Sequence, residues 1–333
     1  MILPILAVIL RLTVVSASLF NHNEALGNAC GIAAQSLFTT CGQEDYGCFC
    51  NSPLYVYAVE KCIGREAKYN STRMGLAFDK FNTDFCVKHG AKINTTDVCS
   101  SENQLKDPTV TPKAFDLAYK GEKNNASQKA QSVWLGVGLI LYWVCLAAAA
   151  LAVRLVRDAI SRLFTQKMVM RRASKPERVL QRWLLWPALG RSRHMSRFAY
   201  FRGYITFSLP TRFESAVVLL YIVLVIIFMC TPYTLLNNDP LFQSRWKEKM
   251  RYASDRAGII ATVQFPLLFL FALRNNVLLW LTGWSYSTFN TYHRAIARVN
   301  YLLLVVHAVL KHIFSASYGG SLTKYYYTVP YFR

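Results

Sequence analysis

Three of the six histidines, His293, His307 and His312, fall in one apolar stretch, where an ionisable side chain is costly enough to point to a function. His293 and His307 are fourteen residues apart. On an α-helix that spacing is about 21 Å of rise and roughly 40° short of four full turns, so the two share one face. A neutral imidazole facing the inside of a helical bundle is the usual axial ligand of haem iron. Two on one face, one near each leaflet, would start a stack of two haems, each needing a second imidazole from another helix. Spacing alone leaves a plainer reading open, in which both histidines hydrogen-bond to neighbours inside the bundle. His312 lies about 140° around the helix from His307 and reads as an interfacial residue. His22, His89 and His194 sit in polar segments without neighbouring ligand types and receive no role.

Seven of the nine cysteines, Cys30, Cys41, Cys48, Cys50, Cys62, Cys86 and Cys99, lie between residues 18 and 131. The same segment carries three N-glycosylation sequons, at Asn70, Asn94 and Asn125. Zinc sites favour a paired Cys-x2-Cys spacing that this segment lacks, and in an oxidising compartment such thiols form disulfides. The segment therefore reads as a disulfide-bonded, glycosylated extracellular or lumenal domain, with one cysteine left over from the odd count. Spacing does not fix the pairing.

The elements that must position the histidines are membrane helices. With 53% hydrophobic, 14% aromatic and 17% charged residues, the chain is too apolar for an ordinary soluble domain. Apolar spans at 132–153, 215–233, 257–273 and 288–315 predict four helices across about 30 Å of hydrocarbon. Val277 to Trp284 is apolar but too short to cross, and predicts a re-entrant or interfacial segment. Residues 1–17, an apolar run ending Val15-Ser-Ala17, predict a secretory signal peptide. The fold class expected is an all-α membrane protein, a helical bundle behind a small disulfide-rich extracellular domain.

Charge gives the orientation. The formal net charge is +20, yet residues 18–131 hold twelve basic and twelve acidic side chains. Residues 154–214 hold fourteen basic against three acidic, which the positive-inside rule assigns to a cytoplasmic loop and not to a nucleic-acid partner. The expected order is a signal (1–17), an extracellular domain (18–131), a first membrane helix (132–153), the basic loop (154–214) and a membrane domain (215–333). The N terminus is then outside and the protein multi-pass. No GxGxxG, Walker loop or nucleophile elbow occurs.

One ordered set of residues goes further: Asp255-Arg256-Ala-Gly258, Phe265-Pro266-Leu-Leu, Arg274-Asn275-Asn276, Leu281-Thr282-Gly283-Trp-Ser285-Tyr286, Phe289-Asn290, His293-Arg294, Arg298 and His307. In order and spacing it resembles the transmembrane domain of fungal-type ferric/cupric reductases, relatives of the NADPH oxidases, from about Ser254 onward. The resemblance implies two haem b groups, with His293 an axial ligand of the inner one and His307 of the outer one. It also implies that Arg294 and Arg298 lie near the inner-haem propionates. Family members usually show HRW-x-GR, whereas this chain has His293-Arg-Ala-Ile-Ala297-Arg298. The family implies a plasma-membrane enzyme that moves electrons from cytosolic NADPH through FAD and two haems to extracellular Fe(III) or Cu(II) chelates, feeding a metal uptake system. In relatives a later span supplies the second histidine pair, and FAD and NADPH domains follow. A chain stopping at Arg333 is therefore expected to be an N-terminal part, inactive alone and holding little haem. Two alternatives are a non-catalytic membrane protein with a partner-binding glycosylated ectodomain, and a reductase of O2.

Overall fold

The computed structural model describes residues 22–38, 41, 46–87, 91, 93, 109–164, 197–200, 205–208, 210–242 and 244–317. The expected signal peptide, Asn94, Cys99 and most of the basic loop lie outside them. Two compact units emerge: one gathers the described parts of 22–132, 232–257 and 306–317, the other those of 133–231 and 258–305.

The first unit is built on His22–Gln35 (α1), Tyr46–Asn51 (α2), Pro53–Glu66 (α3) and Ser71–Phe81 (α4), which continues as a π-helical turn over Asn82–Cys86. Their apolar positions close around Leu26, Phe49, Tyr55, Val56 and Phe81, all buried. Tyr55 keeps its hydroxyl satisfied there by donating to the Gly31 carbonyl at 2.9 Å. Gly27 is required where α1 meets α4, since a Cβ there would stand 2.0 Å from the Ala77 carbonyl oxygen. Asn70 caps α4, its side chain accepting from Arg73 N–H at 3.1 Å, and is exposed. Three disulfides fasten these helices: Cys30–Cys62, Cys41–Cys48 and Cys50–Cys86. In the loop-entropy account, closing loops of 32 and 36 residues stabilises by roughly 3–4 kcal/mol each.

Four helices are long and apolar enough to cross a membrane, so the chain is a multi-pass, all-α membrane protein. They are Pro112–Phe164 (α5), Arg212–Cys230 (α6), Arg245–Ala272 (α7) and Tyr286–Ala316 (α9), with the six-residue Val277–Thr282 (α8) between the last two. Helix α5 starts well before its apolar stretch. Thr111 caps it by accepting from Ala114 N–H at 3.3 Å, and Pro112 stands where a missing N–H costs nothing. Helix α7 likewise begins at Arg245, inside what reads from composition as a mixed-charge loop. Arg, Lys, Glu and Met there are good helix formers, and Arg251 and Asp255 pair one turn apart at 3.0 Å.

Helix α6 opens with a capping box: Thr211 accepts from Glu214 N–H at 3.1 Å while the Glu214 carboxylate accepts from Thr211 N–H at 2.9 Å. Just before it, Arg197–Tyr200 (β1) and Ile205–Ser208 (β2) pair antiparallel, Arg197 opposite Ser208, adding a small hairpin that apolar periodicity does not signal. The short α8 explains two of the motifs. Asn276 caps its start by accepting from Leu278 N–H at 2.9 Å and donates back to the Leu270 carbonyl at 2.7 Å. Gly283, at φ +71°, closes its end in the left-handed region that glycine adopts without strain. Arg154 then donates to the carbonyls of Trp280 and Leu281.

Candidate functional site

His293 sits on α9 one residue past Tyr292, which is fully buried in an aromatic cluster. Tyr292 meets Trp143 at 5.1 Å and Trp284 at 5.8 Å between ring centroids, and Trp143 meets Tyr221 and Phe271 at 5.4 Å each. Tyr221 is anchored in turn by donating to Gln264 Oε1 at 2.6 Å. His293 itself is half-buried, its Nδ1 2.9 Å from the Leu268 carbonyl oxygen of α7. A carbonyl only accepts, so Nδ1 carries the proton and Nε2 is left with a bare lone pair.

His307, in the other unit, repeats the arrangement. Its Nδ1 lies 2.8 Å from the Ser254 carbonyl oxygen, which again assigns the proton to Nδ1 and the lone pair to Nε2. Ser254 Oγ donates to the His307 carbonyl at 3.0 Å, so the two residues clasp each other. Both acceptor carbonyls belong to α7 and are themselves fourteen residues apart, matching the histidine spacing on α9. Two residues beyond Ser254, Arg256 is fully buried, its guanidinium 3.9 Å from the Tyr233 ring centroid and bonded to Gln131 at 3.2 Å. His312 is exposed.

The donor set suits an iron delivered by a porphyrin. Metal-ligating histidines characteristically donate their other ring N–H to a carbonyl or carboxylate, which fixes tautomer and ring orientation, and both histidines do so. Among the described residues no group of three or more His, Cys, Asp or Glu is placed to hold a bare metal ion. Each histidine thus offers one ring nitrogen, Nε2.

Arg294 and Arg298 are brought together, but on a different face of α9 from His293, about 100° and 140° around the helix. With Thr291 they line a groove of about 570 Å³ shared with Arg212 and Ser215 of α6, and His293 is not among its lining residues. Two residues of interest have no sequence signal of their own. Ser254 takes the His307 proton on its main-chain carbonyl, and Asn300 is buried on α9 midway between the histidines with no partner for either amide atom among the described residues. Of the sequon asparagines, Asn70 is exposed, whereas Asn125 lies half-buried within α5.

Comparison with known proteins bears on the same stretch. A family described as ferric reductase like transmembrane component matches residues 257–333. A probable ferric reductase transmembrane component of Candida albicans is 33% identical over 193 residues, 58% of this chain and 28% of that protein. Ferric/cupric reductase transmembrane component 2 of Saccharomyces cerevisiae is 38% identical over 125 residues, 38% of this chain and 17% of that protein. Ferric reductase transmembrane component 3 of the same yeast is 34% identical over 156 residues, 47% and 20% of the two chains. The chain spans about a quarter of the length of the first two relatives it matches. No solved structure matches it. Residues 257–333, which hold both histidines and the Leu268 carbonyl, are thus similar to ferric reductase-like transmembrane components.

Proposed function

We propose that this chain contributes the first haem-ligating helix of a transmembrane ferric/cupric-chelate reductase, with His293 an axial ligand of an inner haem b and His307 of an outer one. The observation that carries the reading is the shared tautomer. Each Nδ1–H is given to a main-chain carbonyl of α7, leaving each Nε2 to an iron. Bound haem supplies one-electron chemistry, its iron cycling between Fe(III) and Fe(II). The chain's own part is to orient the imidazoles and to surround them with apolar helix faces. The relatives' names supply ferric and cupric acceptors, and favour metal over O2 as the species reduced. The reading implies NADPH and FAD as the source of electrons, and metal uptake as the use of the reduced metal.

Three disulfides and an exposed sequon asparagine support an extracellular placement of the N-terminal unit and a plasma-membrane location. Each haem needs a second imidazole from another span, so free imidazole can stand in for it in a test. The full chain, purified from membranes and gel-filtered after haem and imidazole are added, is expected to carry two low-spin haems. The count should fall to one in His293→Ala or His307→Ala and to none in the double variant. An unchanged count in His307→Ala would overturn the ligand assignment.

A further inference from the structure

One buried polar cluster of the N-terminal unit has no part in holding haem. Gly121, Asn124 and Gln128 lie on one face of α5, one and two turns apart. The segment before α7 and the first turns of α7 close on that face. Asn124 Nδ2 shares its protons among the Thr234 carbonyl at 2.8 Å, Tyr252 Oη at 3.2 Å and Glu248 Oε1 at 3.4 Å. Thr234 Oγ1 donates to Asn124 Oδ1 at 2.8 Å and accepts from Gln128 Nε2 at 2.6 Å, so each amide has its oxygen end fixed. Asp239 packs on α5 at Gly121, where a Cβ would stand 2.6 Å from its Oδ1, and that oxygen accepts from Leu241 N–H at 2.9 Å. Glu248 Oε1 also accepts from Leu236 N–H at 3.2 Å. What these bonds leave over is one-sided. Gln128 Oε1, Asp239 Oδ2 and Glu248 Oε2 have no partner among the described residues, and the three side chains are 5%, 5% and 1% exposed. All three atoms are acceptors, and two belong to carboxylates that repel each other. Among the described residues no cation acts on Asp239, and Arg245, which acts on Glu248, is exposed. Glu122 adds a further negative charge within reach of Asp239, offset in part by Lys129 and Lys80.

Buried charges are paired or coordinate a metal ion, because a lone carboxylate loses its hydration for nothing in return. Water could serve the Gln128 oxygen but would leave two negative charges unbalanced. We infer that the bare oxygens of Gln128, Asp239 and Glu248 hold one hard divalent cation of the calcium kind. Calcium takes carboxylate, amide and water oxygens in a flexible geometry, whereas magnesium demands a near-ideal octahedron and softer ions favour the nitrogen and sulfur ligands that this cluster lacks. Two carboxylates without a third make a weak site, with a dissociation constant of about 10⁻⁴–10⁻³ M, as in extracellular calcium modules. In buffers without added calcium, protons alone offset the two charges. The bound ion joins α5 and the segment before α7 to the start of α7, two turns ahead of the Ser254 carbonyl that orients His307. The site does not depend on haem being bound.

The test is calcium binding by the full chain in detergent, stripped with EDTA, desalted and dialysed against radioactive calcium at constant ionic strength without haem. One saturable site per chain is expected at about 10⁻⁴–10⁻³ M, with a higher melting temperature in calcium than in EDTA. Glu248→Gln keeps an acceptor for Leu236 N–H and Asn124 Nδ2 but removes a charge, and should weaken binding roughly tenfold. Gln128→Glu supplies a third carboxylate and should tighten binding by a comparable factor, a gain that a misfolded variant would not show. The site is disproved if nothing saturates, or if Glu248→Gln and the parent bind alike, which would mark an adventitious ion only. It is equally disproved if mild acid raises the melting temperature and calcium does not, which would leave protons as the only counter-charge. Haem loading of His293→Ala, measured on separate samples, bears on the ligand assignment alone.

Discussion

Ser254 and His307 hold each other by hydrogen bonds that run in opposite directions. The imidazole Nδ1 donates to the serine carbonyl at 2.8 Å, and the serine hydroxyl donates to the histidine carbonyl at 3.0 Å. The serine Oγ also lies 3.3 Å from Nδ1, but the shorter contact, to the main-chain carbonyl, is the one that sets the ring. Ser254→Ala should therefore leave the tautomer of His307 and its haem spectrum unchanged while costing about 1 kcal/mol of stability, the usual net value of one hydrogen bond. Thermal unfolding in detergent together with the absorption spectrum checks this. Loss of haem in Ser254→Ala would mean that the hydroxyl, not the carbonyl, orients the ligand.

Asn300 is 2% exposed, and neither its Oδ1 nor its Nδ2 has a partner among the described residues. An unsatisfied buried amide costs roughly 1–3 kcal/mol. Asn300→Leu, of similar volume, is expected to raise the melting temperature of the chain. A lower melting temperature would show that the amide is engaged in the assembled protein.

Gly27 leaves no room for a side chain between α1 and α4. Gly27→Ala drives a methyl group into the Ala77 carbonyl, and overpacking of this kind typically costs 1–3 kcal/mol, about the range to be read from chemical denaturation of the N-terminal unit. Removing the Cys50–Cys86 bridge by paired serine substitution should cost more, about 2–5 kcal/mol. If the bridge proves the cheaper of the two to remove, the helix crossing and not the disulfide is what holds this unit.

Asp239 offers a test of pH dependence. It is buried, one oxygen accepts from Leu241 N–H at 2.9 Å and the other has no partner among the described residues. Burial raises its pKa above the ordinary carboxylate value, an effect partly offset by the Leu241 N–H. A raised carboxyl pKa means that folding favours the protonated form. Its stabilising contribution is thus present at acid pH and lost as pH rises through the folded-state value. Asp239→Asn keeps the acceptor for Leu241 and removes the titration. The variant should be more stable than the parent at neutral pH, and this advantage should shrink on mild acidification. An advantage independent of pH would rule out titration of Asp239 as its source.

Much of this was legible before any coordinates. Four apolar stretches gave four membrane helices because a chain crossing hydrocarbon must satisfy its backbone internally, and only length and apolarity are needed to recognise such a span. Helix starts were less legible. Both α5 and α7 begin in polar sequence, where propensity and local caps decide rather than hydropathy. The motif Arg274-Asn275-Asn276 and Gly283 carried a family likeness but no stated purpose until Asn276 proved to be a cap and Gly283 a left-handed helix stop.

By itself, then, the sequence determined the class of the protein, its spans, and the common helix of His293 and His307, because helical periodicity is a local property that spacing encodes. Three matters were decided only by tertiary structure: which cysteines pair, which main-chain carbonyls take the two Nδ1 protons, and that Arg294 and Arg298 share a groove with Arg212. Each depends on residues far apart in the chain meeting across packed helices. A carbonyl oxygen, moreover, is present at every position, so no residue type announces the one that a histidine will use.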